Sequence, residues 1–140
     1  MGSGVKLKSV DHIGMVVKDL EAAKAFCSSQ FGLGPWENWE IPGIGGLKGT
    51  LAKLGDVGLQ LLEPLSKESY HSDFLNNEGG GIHHFCVLVD DVDAATKELE
   101  EKGGKVLFLH SASEFEPIAR ESNVEIPGLG VILALRELPA

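Results

Sequence analysis

The sequence is poor in cysteine and in basic residues, and it has no long apolar run. Its two cysteines, Cys27 and Cys86, are too few for a disulfide framework and lie in apolar segments, as buried thiols do in a reduced compartment. The 12 basic and 21 acidic residues give a net charge of −9, which argues against a nucleic-acid partner. No segment approaches the roughly 18 apolar residues that span a bilayer. With no signal-like stretch at the N-terminus, we predict a cytoplasmic protein without a membrane partner.

The length of 140 residues and the hydrophobic content of 43% favour one globular domain over residues 1–140. Within it the sequence repeats: the segment that starts at His12 resembles the segment that starts at His84, 72 positions later, without a gap. Six identities are too many for two unrelated strand–helix segments, so we infer a duplicated module. The identical pairs are His12 and His84, Val17 and Val89, Asp19 and Asp91, Ala22 and Ala94, Ala23 and Ala95, and Gly32 and Gly104.

Each module is predicted to be a βαβββ unit, at about residues 9–66 and 80–138. Apolar, β-branched strands begin at the two histidines, and an aspartate caps the helix that follows each one. Two such modules predict an α+β fold with an open, curved mixed sheet and the helices outside. The expected helices are Leu20–Phe31 and Val92–Lys102, with a short turn at Asp73–Asn77; the other expected strands are Glu37–Ile41, Gly49–Leu54, Gly58–Leu62, Lys105–Leu109, Val124–Ile126 and Val131–Leu135, and Ser111–Ser122 is a polar loop.

Three polar residues in apolar strands are candidates for a metal site. A lone strand histidine is most often a hydrogen-bonded core residue, but duplication puts His12 and His84 at matching places, where two imidazoles can converge on an ion. Gln60 lies in the apolar strand G-L-Q-L-L, where it either faces solvent or offers its amide oxygen as a ligand. His71 and His110 are interpreted as solvated loop residues, and His83 points away from the His84 face by strand alternation.

The segments D-H-I-G-M-V-V-K-D-L-E-A-A, L-Q-L-L-E-P-L and G-I-H-H-F-C-V-L-V-D-D-V-D-A-A resemble the vicinal oxygen chelate superfamily, and within it the methylmalonyl-CoA epimerases. That resemblance implies a divalent ion (cobalt, zinc, nickel, manganese or iron) held by His12, Gln60 and His84. It also implies a small carbonyl or acyl-thioester substrate, an enolate intermediate and a homodimer.

Two positions depart from the epimerase pattern. The family's fourth ligand is a glutamate in the last strand, and Ala134 stands in its place. The family's basic glutamate is expected near Lys48, Gly49 and Thr50, where this chain has no carboxylate. Both departures predict a substrate different from that of the family's epimerases.

Glu125 is the candidate that could replace the missing carboxylate, as a ligand or as the catalytic base. If Ile126 and Val131 close the P-G-L-G turn, Glu125 lies opposite Ile132 and shares a face with Ala134; a slip of one residue would reverse this. A plain solvent-exposed glutamate is the alternative. Glu63 and Glu137 have the wrong strand parity to serve.

Two functions remain open from the sequence. The first is a metal-dependent isomerase, epimerase or lyase that uses a metal-stabilised enolate. The second is a metal-poor protein of the same fold that binds or sequesters a small molecule, which Ala134 and the missing base favour. The metal content of the protein discriminates between them.

Overall fold

The computed structural model describes residues 5–42, 45–69, 71–110 and 120–137. These residues form eight strands and three helices, and the predicted α+β class is confirmed. The elements are β1 (Ser9–Val16), α1 (Leu20–Phe31), β2 (Glu37–Ile41), β3 (Leu47–Leu54), β4 (Val57–Pro64), α2 (Ser72–Glu78), β5 (Gly81–Val89), α3 (Val92–Glu101), β6 (Lys105–His110), β7 (Glu121–Glu125) and β8 (Ile132–Glu137).

The chain divides into two compact units. The first unit is His12–His83, and the second combines Met1–Asp11 with His84–Ala140. Each unit has the predicted order of one strand, one helix and three strands, β1-α1-β2-β3-β4 and β5-α3-β6-β7-β8, with α2 added in the first. That residues 1–140 form a single domain stays a prediction.

The strands of the first unit run in the order β2-β3-β4-β1. β1 is parallel to β4, and the other neighbours are antiparallel. α1 begins at its predicted residue because the Asp19 carboxylate accepts a hydrogen bond from the Ala22 amide. Glu63 of β4 accepts a second bond from the Leu20 amide at 2.7 Å. Since Glu63 and Gln60 have opposite strand parity, α1 lies on the face of the sheet that Gln60 does not share.

The other face of the first unit is apolar at one end. Val16, Leu47 and Leu62 form a buried cluster there, and Phe74 and Leu75 of α2 pack against it. Strand alternation puts Val16 and Leu62 on the face that carries His12 and Gln60. α2 therefore covers the apolar end of that face but not the end where His12 lies.

The second unit repeats the arrangement with the order β5-β8-β7-β6. β5 and β8 are parallel, and the remaining pairs are antiparallel. α3 is capped by Asp91, which accepts from Ala94, and by Glu137 of β8, which accepts from the Val92 amide at 3.2 Å. The core lies between α3 and one face of the sheet and consists of Val87, Val89, Val92, Ala95, Val124, Leu133 and Leu135.

Some sequence-based expectations were wrong in detail. His71 is buried, not solvated, because it precedes α2 and its ring contacts His83 at a centroid distance of 4.7 Å. His110 is the last residue of β6, not part of a loop. The predicted polar loop Ser111–Ser122 is partly wrong too, since β7 already begins at Glu121; residues 111–119 lie outside the described chain.

Candidate functional site

His12 and Gln60 lie on one face of the first unit. In the parallel β1–β4 pair, His12 is opposite Gly58 and Gly14 is opposite Gln60, so both side chains emerge on the same side. His12 is 3% exposed, and Gln60 is half-buried. Leu51 of β3, the partner of Gln60, is a third residue on this face. An imidazole and an amide oxygen thus share a face that does not carry α1.

Gly58 of β4 leaves space beside His12 because it has no side chain. A Cβ added to Gly58 would lie 3.2 Å from the His12 Cβ and 3.0 Å from a Leu51 methyl carbon, tighter than ordinary van der Waals contact. The absence of a side chain at Gly58 therefore leaves room for the buried imidazole.

His84 lies at the corresponding place in the second unit. It is 8% exposed and opposite Ile132 of β8, and Cys86 is opposite Ala134. The face that carries His84 therefore also carries Cys86 and Ala134, and α3 packs on the other face. Position 134, where the resemblance to the epimerases implies a glutamate, thus belongs to the His84 face and holds a methyl group.

Glu125 has the predicted register. It is opposite Ile132 and on the face of Ala134, and its side chain is exposed. The predicted strand pairing is confirmed, whereas the catalytic role of Glu125 stays a prediction. Glu63 and Glu137, set aside by parity, are the carboxylates that cap α1 and α3.

The sequence reasoning missed a polar network beside Ala134. Arg136 Nη2 lies 2.8 Å from Glu121 Oε1, and Arg136 Nη1 lies 3.7 Å from an Asp11 carboxylate oxygen. Asn123, opposite Ala134, donates from Nδ2 to Glu121 Oε2 at 3.2 Å. Strand alternation in the sequence could have indicated this network. Its polar side chains alternate with the buried residues Ser122 and Leu135, in segments that were predicted as an apolar strand or as a loop.

Cys86 does not behave as a ready ligand. Burial raises the pKa of its thiol to about 12, although the nearby Arg136 guanidinium acts in the opposite direction. Its sulfur lies within 4.8 Å of an Asp11 carboxylate oxygen, an arrangement that also favours the neutral thiol. Because the thiolate is the form that binds metal, imidazole and amide donors remain the better candidates.

The donor types partly fit the metal that the epimerase pattern implies. Buried imidazoles and an amide oxygen are ligands for divalent transition ions. The anionic donor that would complete the set is missing at position 134. A site built from these donors would consist of neutral groups.

Comparison with known proteins places these features in a class. The sequence profile of the glyoxalase/bleomycin resistance protein/dioxygenase superfamily matches residues 11–118. The chain belongs to this superfamily, as the motifs around His12, Gln60 and His84 predicted.

The most informative relatives are epimerases. The human mitochondrial methylmalonyl-CoA epimerase is 33% identical over 124 residues, covering 78% of this chain and 70% of its own. The ethylmalonyl-CoA/methylmalonyl-CoA epimerase of Cereibacter sphaeroides is 35% identical over 99 residues, covering 70% and 73%. Among solved structures, this chain is similar to a Streptomyces coelicolor methylmalonyl-CoA epimerase variant in complex with 2-nitronate-propionyl-CoA. The TM-score is 0.79 and the identity 27%, and the match covers 96% of this chain and 100% of that chain. In the described part of the chain, no helix is long and apolar enough to cross a membrane.

Proposed function

We propose that this protein is a metal-dependent isomerase that acts on an acyl thioester or another small carbonyl compound. The observation that carries the proposal is the equivalence of the two histidines. Both are buried, His12 is the first paired residue of the parallel β1–β4 pair, and His84 is the first paired residue of the parallel β5–β8 pair. A single core histidine needs only a hydrogen-bond partner. Two histidines at matching positions are what a metal ion bound by both imidazoles would require. The epimerase relatives supply the reaction class.

In this proposal His12, Gln60 and His84 are the metal ligands. The ion is cobalt, zinc, nickel, manganese or iron, and when bound it supplies a Lewis acid that stabilises an enolate. The imidazoles bind in their neutral form, and the Gln60 amide adds an oxygen donor. With neutral ligands alone the ion keeps its double charge, which weakens its retention and strengthens its attraction for anionic substrate oxygens.

Glu125 is the proposed acid–base residue. Its carboxylate is exposed on the face that carries Ala134, so a ligand on that face can reach it. A carboxylate there can take a proton from a carbon next to a carbonyl group. Because this carboxylate comes from β7 rather than from the strand before Gln60, we propose a substrate different from methylmalonyl-CoA.

A second function is favoured by Ala134. The methyl group at that position offers the ion no donor, which suits a protein of this fold that holds a small molecule without metal. Such a protein would bind its ligand equally well before and after treatment with a chelator.

The decisive measurement is the metal content of the purified protein and its variants. We expect the parent to bind close to one divalent ion, and His12→Ala, His84→Ala and Gln60→Ala to lose most of it. Gln30→Ala, which changes an exposed residue of α1, is the matched control and should keep the ion. Equal metal content in all variants would contradict the metal proposal, and a metal-free parent that binds acyl thioesters would support the binding function.

The finer assignments stay predictions. We propose a homodimer by analogy with the epimerase family, and a reducing compartment such as the cytoplasm because both cysteines are free. Light scattering after gel filtration tests the dimer.

A further inference from the structure

Asn123 is a buried amide in the second unit. It is 4% exposed and lies directly opposite Ala134, which in turn lies opposite Cys86. Through these pairings Asn123 is on the face of His84. A buried amide group is costly unless its donor and its acceptor both find partners.

The orientation of the Asn123 amide is fixed by its neighbours. Arg136 donates from Nε and Nη2 to Glu121 Oε1, at 3.2 and 2.8 Å, and so holds the Glu121 carboxylate in place. The second oxygen of Glu121 accepts from Asn123 Nδ2. Because an ionised carboxylate only accepts hydrogen bonds, the NH₂ group of Asn123 must face Glu121.

The carbonyl oxygen of Asn123 therefore faces the other way. Along β7, Glu121 lies toward Arg136, and Glu125 lies toward Ile132, which is the partner of His84. Nδ2 is the atom that contacts Glu121, so Oδ1 is on the side of the amide away from that contact, and His84 lies toward the other end of the face. Among the described residues, the donation to Glu121 is the one hydrogen bond of this side chain.

We propose that Asn123 Oδ1 is the oxygen donor that this chain offers to the divalent ion in place of the carboxylate missing at position 134. The inference rests on the proposed function, because it concerns the same ion. Amide oxygens of asparagine are established metal ligands. Arg136 and Glu121 are positioning residues in this arrangement, since they act only through the orientation of Asn123.

The test uses cobalt(II) added to the metal-free full-length protein, with calorimetric titration and the visible absorption of the ion as readouts. Asn123→Leu keeps the approximate shape and removes the oxygen; we expect the affinity for cobalt to fall about tenfold or more and the absorption to change. Asn38→Leu is the matched control, because Asn38 is on the α1 face of the first unit, and it should leave both readouts unchanged.

Asn123→Asp keeps the shape and adds a charge. Beside Glu121 the new carboxylate should lower the thermal stability of the metal-free protein, and cobalt should raise the melting temperature by more than it does in the parent. This variant decides the question if Asn123→Leu does not fold.

The outcomes separate the two proposals. If His84→Ala loses cobalt but neither Asn123 variant alters its binding, the role of Asn123 is refuted and the metal site stands. If His84→Ala also binds cobalt normally, the proposed function itself is wrong.

Discussion

Gln60 and Ala134 occupy equivalent positions in the two units. Gln60 is the partner of Gly14 in the parallel β1–β4 pair, and Ala134 is the partner of Cys86 in the parallel β5–β8 pair. Gly14 and Cys86 are 72 residues apart, the spacing of the sequence repeat. The duplicated fold thus has two equivalent positions on β4 and β8, and this chain has an amide at one of them and a methyl group at the other.

The first prediction concerns Ala134→Glu. A carboxylate at the position equivalent to Gln60 adds an anionic donor, so we expect the affinity for added cobalt or zinc to rise at least about tenfold, a change of about 1.4 kcal/mol. The parent should epimerise methylmalonyl-CoA slowly or not at all, because loss of a positioned base costs about 10²–10⁴ in rate. Titration calorimetry and a coupled epimerase assay measure the two effects.

Rapid epimerisation by the parent with any of the candidate metals would refute this prediction. Activity that appears only in Ala134→Glu would show that the remaining residues of the site are competent.

The second prediction compares the two carboxylates that cap helices. Glu63→Gln and Glu137→Gln each replace a charged acceptor at the first amide of a helix, and the cost should be about 0.5–2 kcal/mol of unfolding free energy. The Glu63 bond is the shorter, 2.7 Å against 3.2 Å, so we expect Glu63→Gln to be the more destabilising. Urea denaturation gives both values, and a larger loss for Glu137→Gln would contradict the ranking.

The third prediction concerns the contact between Gly49 and Trp39. A Cβ at Gly49 would overlap the indole ring of Trp39, so the methyl group of an alanine would have to displace that ring. We expect Gly49→Ala to cost about 1–3 kcal/mol, as overpacking does elsewhere. Gly55→Ala is a useful contrast, since nothing lies within 4 Å of its Cβ and its cost comes from its positive φ of 68°. A red-shifted tryptophan emission should accompany the loss at Gly49; unchanged stability and emission would be inconsistent with the packing.

The fourth prediction is a pH dependence of stability that comes from His71. Burial, with a smaller contribution from His83, lowers the pKa of His71 from 6.5 to about 3. Above pH 6.5 the residue is neutral in both states, so the native state is not penalised. As the pH falls from 6.5 toward 3, His71 becomes protonated in the unfolded chain but stays neutral in the native chain. The free energy of unfolding therefore decreases by up to about 1.4 kcal/mol per pH unit.

His71→Gln removes this group, so its unfolding free energy should depend less on pH between 6.5 and 4 than that of the parent. Denaturant melts at several pH values measure the slopes. His83 retains its own lowered pKa in the variant, so part of the slope should remain. Identical slopes in both proteins would mean that His71 is accessible to protons in the native state.

Local chemistry was enough to predict most elements from the sequence. α1 ends and begins at the predicted residues because Asp19 and Gly32 are strong capping residues, and Gly32 adopts the left-handed conformation at a φ of 68°. The repeat predicted both βαβββ units because identical residues recur at one spacing. The pairing of Glu125 with Ile132 was one of two registers that the P-G-L-G turn left open, and the structure has the one in which Ile126 and Val131 flank the turn.

Tertiary structure alone decided the environment of the polar residues. His71 precedes a short helix and looked solvated, but the packing of α2 against the apolar end of the sheet buries it. Asn123 lies in a stretch whose first residues looked like loop, and its burial opposite Ala134 follows from the pairing of β7 with β8. Sequence periodicity predicts which way a side chain points, whereas its partners are set by strand pairing across the chain, and only the folded structure contains that information.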